Sequence, residues 1–280
     1  MVGVPYVGTY WPQGAVAEAA RVGNFVIVSP HQLLAENPQL AADLRAHPSL
    51  SLILQFPANL DVLAGRVDWT PELEMWRDAL EASDFAHRVI ALLCDEELYP
   101  RLLGGAFDGD AAAKLLPRDP FARLDIMHGI LRRLVRQMQR VFPLYPVGHV
   151  TTCWSHRRDW GPGYYAPSVE ELDFLGVDPY ITGHVTEAAF RREVMPIVEE
   201  AGRHGKPVLL VGQAFSDDLR AMPSAEQLGW WTTLAADQGC VGLAWFTLTM
   251  PPWMGTGLVD HPDQLAWVRG YAARIGIVEA

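Results

Sequence analysis

Short runs of apolar, largely β-branched residues recur along the chain, each followed by a segment whose apolar positions repeat every three or four residues. The runs fall at 4–10, 24–29, 50–56, 88–94, 147–154, 174–178, 207–213 and 241–247. Each is nearly continuous in Val, Ile, Leu, Gly and Phe, the pattern of parallel strands covered on both faces. Between them, 16–22, 71–82, 121–141, 187–204 and 225–238 carry amphipathic helical periodicity. Strands alternating with helices predict right-handed βαβ units and a parallel sheet. The seven intervals from Val4 to Val241 average about 34 residues, one such unit each.

Eight units, with a closing helix near 262–275, predict an α/β fold, a single (β/α)8 TIM barrel spanning residues 1–280. A doubly wound sheet would carry a glycine-rich phosphate turn after its first strand, and Tyr10-Trp11-Pro12-Gln13-Gly14 is not one. No Pro/Gly/Ser linker divides the chain. The longest irregular stretches, 97–120 and 155–168, follow the fourth and fifth strands and so belong to the face where such barrels carry chemistry.

Composition narrows the partners. Half of the 280 residues are hydrophobic and 20% are charged, ample material for a core. The net charge of −11 argues against nucleic acid, and the densest basic cluster, Arg132-Arg133 with Arg136 and Arg140, simply has helical spacing. The longest apolar runs are about seven residues, far short of the ~20 that insert in a bilayer. Three Cys (Cys94, Cys153, Cys240) are too few and scattered for a disulfide framework or a zinc site. The opening MVGVPYVGTYWPQG lacks the regions of a signal peptide, so export would need flanking sequence or a carrier. Ten Trp, eight Tyr and ten Phe are the one excess with chemical meaning.

The strand ends show where that excess lies. In order they read Tyr10-Trp11, His31-Gln32, Gln55-Phe56, Asp95-Glu96-Glu97, Trp154-Ser155-His156, Asp178-Pro179-Tyr180, Gln213-Ala214-Phe215 and Trp245-Phe246. Any one aromatic here could simply fill the wide top of a barrel. Together with Gln, His and carboxylates they describe a cleft of flat apolar platforms with hydrogen-bonding rims, which suits a carbohydrate. Tyr10, Trp11, Gln55, Trp154, His156, Tyr180, Gln213 and Trp245 are the expected substrate contacts, with His31 a further rim group. The later loop Met250-Pro251-Pro252-Trp253-Met254-Gly255 either packs on the barrel top or walls the cleft.

The carboxylates sharpen the expectation. The buried run Val89-Ile90-Ala91-Leu92-Leu93-Cys94 ends abruptly in Asp95-Glu96-Glu97. Three adjacent acids at a barrel mouth repel one another, which should keep one protonated near neutrality, as a general acid requires. The plainer alternative is a solvated acidic turn. No metal or cofactor is expected. The first strand does not end in His-x-His, no HExxH occurs, and His149 and His184 are at most a remnant of such a site. No G-x-S-x-G elbow is present, and the loop after Gln213 is acidic where a phosphate would want glycine.

LLCDEELY at the fourth strand, VDPY at the sixth, VLLVGQAF at the seventh and GLAWF at the eighth resemble a (β/α)8 glycoside hydrolase. In the retaining barrel clan the fourth strand ends in Asn-Glu with Glu as acid/base, a second Glu ends the seventh as nucleophile, and the eighth carries a Trp under the sugar. The resemblance therefore implies Glu96 as acid/base and Trp245 as that Trp, with Asp95 in place of the Asn. It departs at Gln213, an amide where the nucleophile should stand. Three repairs remain open. The Asp-Glu pair resembles that of hexosaminidases in which the substrate's N-acetyl group attacks its own anomeric carbon. Asp95 would then orient the acetamide and Tyr180 would bond its carbonyl. Alternatively Asp178 is the base or nucleophile opposite Glu96, or the barrel is catalytically inactive and binds glycan within a larger assembly.

Overall fold

The computed structural model describes residues 6–12, 14–96, 98, 120–152, 169–180 and 186–278, with residues 96, 120, 121, 123, 124 and 152 described in backbone alone. Eight parallel strands close into a barrel in chain order: β1 (Tyr6–Tyr10), β2 (Phe25–Val28), β3 (Ser51–Phe56), β4 (Val89–Glu96), β5 (Val147–Thr152), β6 (Phe174–Asp178), β7 (Val208–Gln213) and β8 (Gly242–Phe246). The ring closes through β8 against β1, where Tyr6 to Thr9 pair with Gly242 to Trp245. All eight expected strands are present, and the fold is the expected TIM barrel.

The helices are α1 (Val16–Val22), α2 (Pro38–Ala46), α3 (Leu60–Leu63), α4 (Thr70–Glu81), α5 (Pro120–Val141), α6 (Glu187–Arg203), α7 (Ala225–Asp237) and α8 (Pro262–Arg274). Helix α2 was not expected, although its signals are local. Asn37 caps it by accepting from the Leu40 amide at 2.9 Å, and Pro38 sits in the first turn, where its missing N–H costs nothing. At its other end buried Arg88 donates to the carbonyls of Leu44, His47 and Leu50, which ties the helix to the feet of β3 and β4. Among the described residues no helix is long and apolar enough to cross a membrane.

Strand alternation divides the core into two layers. One set, including Phe25, Ile27, Ile53, Leu93, Val150, Phe174, Leu209, Val211 and Ala244, fills the barrel interior. The other, including Val26, Leu52, Leu92, Val177, Leu210, Leu243 and Trp245, lies between strands and helices. Interior packing alternates large against absent side chains. A Cβ on Gly8 would come 2.3 Å from the Phe25 carbonyl oxygen, and one on Gly148 2.4 Å from the Phe174 ring. Both Phe rings thus occupy volume that only glycine leaves on the neighbouring strand.

Candidate active site

The two ends of the barrel differ in chemistry. The end where the strands begin holds an apolar cavity of about 210 Å³ lined by Tyr6, Phe25, Ile53, Phe174 and Leu209. Its carboxylate, Asp173, accepts the Val147 amide at 2.8 Å and so serves the backbone. The polar groups that can do chemistry stand at the other end.

Alternation fixes which of them face inward. Tyr10 belongs to the interior layer, and Gln55, Asp178 and Gln213 each lie two residues beyond an interior position (Ile53, Gly176 and Val211). All four are buried. Around them Tyr10, Trp11, Tyr180, Phe215 and Phe246 form one aromatic wall. Phe246 is its centre, with ring centroids 5.3 Å from Tyr10, 5.2 Å from Trp11, 6.1 Å from Tyr180 and 5.6 Å from Phe215.

Trp245 is not part of this wall. Its side chain points outward, completely buried, with its ring 6.3 Å from that of Trp231 and 6.4 Å from that of Trp267 in the helix layer. Its six-membered ring covers Gly212, where a Cβ would lie 2.7 Å from it. The physical reason is strand parity: Ala244 and Phe246 face in, so Leu243 and Trp245 face out. Phe246 takes the place in the mouth that the resemblance gave to Trp245.

Strand β4 ends in a bulge. Leu93 pairs with Gly148 and Glu96 with Val150, so two residues of β4 oppose one of β5. Asp95, with φ at 55°, sits in this bulge and is buried. A non-glycine residue in the left-handed region is a strained position held by its surroundings. The irregularity shifts the parity of the strand, and the Glu96 backbone takes the register of Val150, an inward position.

His149 braces the bulge from β5. Its Nδ1 donates to the Cys94 carbonyl at 2.9 Å, and the Asp95 backbone also hydrogen-bonds the ring. Burial lowers its pKa to about 4, against the partial opposition of those two bonds. Burial, reinforced by the charge of Asp95, pushes the Cys94 thiol well above its ordinary value, so it is an apolar filler and not a nucleophile. A testable consequence follows for pH. The unfolded chain takes up a proton on His149 near 6.5, whereas the folded chain does so only near 4. The stability involved is present above about 6.5 and is lost as pH falls toward 4, an effect of about 3 kcal/mol. His149→Gln, which keeps a donor for Cys94 but cannot titrate, should reduce the slope of urea-unfolding stability across this interval. Half-buried His128, also lowered to about 4 mainly by burial, should leave a comparable slope of its own.

The loop after β7 closes one side of the mouth. Gln213 Nε2 donates to the carbonyls of Phe215 and Ala221, at 3.0 and 2.9 Å. The amide that replaces a nucleophile thus holds this loop in place. Arg220, which sequence reasoning missed, is stacked over Tyr180 and Phe215 at 5.1 and 5.0 Å and pairs with Asp217 at 2.7 Å. Trp231 Nε1 donates to the Pro179 carbonyl at 3.2 Å and fixes the chain between Asp178 and Tyr180 from the helix side.

Of the remaining expected contacts, His31 alone lies within the described residues. His31 packs against Trp76, 4.3 Å between rings, with Glu72 3.7 Å away, and so turns toward α4. Trp154 and His156, like Glu97, Cys153 and His184, lie outside the described residues. Among the described residues no three His, Cys, Asp or Glu side chains gather as a metal ion would require.

No known family's sequence profile matches the chain, and no curated protein matches it by sequence. Solved structures do match. A β-galactosidase from the Antarctic haloarchaeon Halorubrum lacusprofundi superposes with a TM-score of 0.67 at 13% identity, over 98% of this chain and 58% of that one. An endo-1,4-β-D-mannanase from Thermotoga petrophila gives 0.66 at 10% identity, over 96% of this chain and 99% of that one. GH5_18 from Streptomyces cattleya, solved with Manβ1-4GlcNAc, gives 0.63 at 16% identity, over 96% and 81%. The chain spans between 56% and 59% of the length of the β-galactosidases it matches. At these identities the likeness is one of fold: the chain is a (β/α)8 barrel of the kind these glycoside hydrolases possess.

Proposed function

We propose that the chain is a glycoside hydrolase that cleaves an N-acetylhexosamine-containing polysaccharide or glycan, with Glu96 as general acid. The observation that carries this reading is the β4 bulge, which sets Glu96 in an inward register at an aromatic mouth shared with Asp178. The fold's neighbours, β-galactosidases, a mannanase and a protein holding Manβ1-4GlcNAc, are consistent with it.

In the proposed reaction the acetamide oxygen of the substrate attacks its own anomeric carbon as the glycosidic bond breaks. Glu96 passes its proton to the departing oxygen. Asp95 orients the acetamide N–H and offsets the positive charge that develops on the ring formed. The half-buried Tyr180 donates to the acetamide oxygen, and a water deprotonated by Glu96 then opens the ring. Gln213 favours this route, because an amide cannot form a glycosyl ester and its Nε2 is already engaged by two carbonyls. A second reading rests on Asp178, buried and inward at the end of β6, as base or nucleophile opposite Glu96.

A panel of chromogenic glycosides and polysaccharides, with and without N-acetyl groups, tests both. Substrate assistance expects release only from N-acetylhexosaminides, with inhibition by a thiazoline mimic of the cyclised acetamide. Turnover that ignores the thiazoline and collapses in Asp178→Asn would favour the second reading. Oligosaccharide binding without product after prolonged incubation would identify a glycan-binding barrel instead.

A further inference from the structure

Among the described residues, Trp253 is the only aromatic side chain more than half exposed, at 83%. It sits in the loop after β8, on the same face as the aromatic mouth, yet takes no part in that wall. An indole left in water has a solvation cost that folding would ordinarily relieve, so its setting matters.

That setting is rigid. Pro251 and Pro252 restrict the backbone immediately before the ring, and the Met254 amide donates to the Pro251 carbonyl at 2.8 Å, closing the turn. Gly255 follows with φ at 147°, and a Cβ there would lie 2.0 Å from the Ser216 carbonyl oxygen, so only glycine seats the loop so closely. Thr256 and Gly257 then pair antiparallel with Ser216 and Phe215, and the Ser216 and Thr256 hydroxyls share a 2.6 Å bond. The near side is tied equally well. Thr247 Oγ1 donates to the Tyr10 carbonyl at 3.2 Å, and Thr249 Oγ1 to that of Trp11 at 3.1 Å. The loop is thus strapped to the two segments that supply Tyr10, Trp11 and Phe215 to the mouth.

We propose that Trp253 is the platform of a second saccharide subsite outside the mouth, and that the substrate is an oligosaccharide or polysaccharide chain running from the mouth across the β8 loop. The proposal rests on the glycoside hydrolase reading and specifies its substrate class. A flat indole fixed in advance stacks on the C–H face of a sugar with little ordering cost. Charge favours a neutral occupant. Asp217 in the adjoining loop is already paired with Arg220, Asp218 and Asp260 stand nearby in the sequence, and the chain carries −11 overall, which disfavours an anionic surface or polymer.

The test compares the full chain with Trp253→Ala and Trp253→Tyr on two probes, an aryl N-acetylhexosaminide that occupies the mouth alone and a β-1,4-linked N-acetylglucosamine tetrasaccharide. Trp253→Ala should raise KM for the tetrasaccharide about tenfold, and by clearly more than for the aryl glycoside. Trp253→Tyr should recover most of the loss. Equal changes on the two probes, or none on the tetrasaccharide, overturn the subsite. If the wild type hydrolyses neither probe, the enzymatic reading fails separately. The subsite is then read by binding: tetrasaccharide-induced quenching of tryptophan emission that Trp253→Ala abolishes supports it, and no quenching overturns it. A shift from dimer to monomer in Trp253→Ala by size-exclusion chromatography would assign the ring to self-association and also overturn it.

Discussion

Glu96→Gln is expected to lower turnover on unactivated glycosides by about 10²- to 10⁴-fold, the usual scale for one positioned general acid. The amide keeps the shape and hydrogen-bonding reach of the carboxyl, so the loss should lie in kcat and not in the unfolding midpoint. Its size should depend on the leaving group. A dinitrophenolate departs with little protonation, so an aryl glycoside carrying it should lose far less than an alkyl glycoside or an oligosaccharide. The alkaline limb of the wild-type pH–rate profile, which reports loss of the acid's proton, should also vanish. Asp95→Asn should behave differently, with slower turnover on every leaving group, because its proposed partner is the acetamide and not the departing oxygen. Equal losses across leaving groups in Glu96→Gln would remove it from the acid's role, and undiminished turnover would sink the assignment.

The eight strands were legible because a parallel strand covered on both faces is almost uniformly apolar, and such runs stand out against amphipathic helices. That same uniformity hides the phase of each strand. In Gly242-Leu243-Ala244-Trp245-Phe246 no polar residue marks an outer face, so nothing local corrects the resemblance that puts Trp245 under the sugar, while the structure sends it outward. The phase is set by packing elsewhere, by Gly212 leaving room for the indole and by Trp231 and Trp267 meeting it. The β4 bulge was equally invisible. Nothing in Cys94-Asp95-Glu96 announces a left-handed aspartate, because the residue that braces it, His149, is 54 positions later. Arg220 was passed over because its guanidinium meets Tyr180 across 40 residues of chain. Strand ends are local facts, whereas parity, bulges and stacked cations are decided between strands.

Trp245→Ala should therefore be felt as instability, by about 3–5 kcal/mol, the range for emptying a large aromatic site in a core. The indole is completely buried between Trp231, Trp267 and Gly212, three neighbours on different elements, so no single shift can fill the space it leaves. For a domain of this size the loss corresponds to a fall in Tm on the order of 10 °C. Trp245→Phe should recover part of it, since a smaller ring preserves one edge contact. The neighbouring residue gives the contrast. Phe246→Ala removes the centre of the mouth wall, which touches Tyr10, Trp11, Tyr180 and Phe215, and is only half-buried. Its larger effect should fall on KM for a glycoside, with a smaller effect on the urea midpoint than Trp245→Ala. The two adjacent substitutions thus separate the layers of the barrel, stability from the outer one and substrate affinity from the inner. A Trp245→Ala protein that unfolds at the wild-type midpoint but shows a raised KM would return the indole to the mouth, and would overturn the strand parity from which the whole site is built.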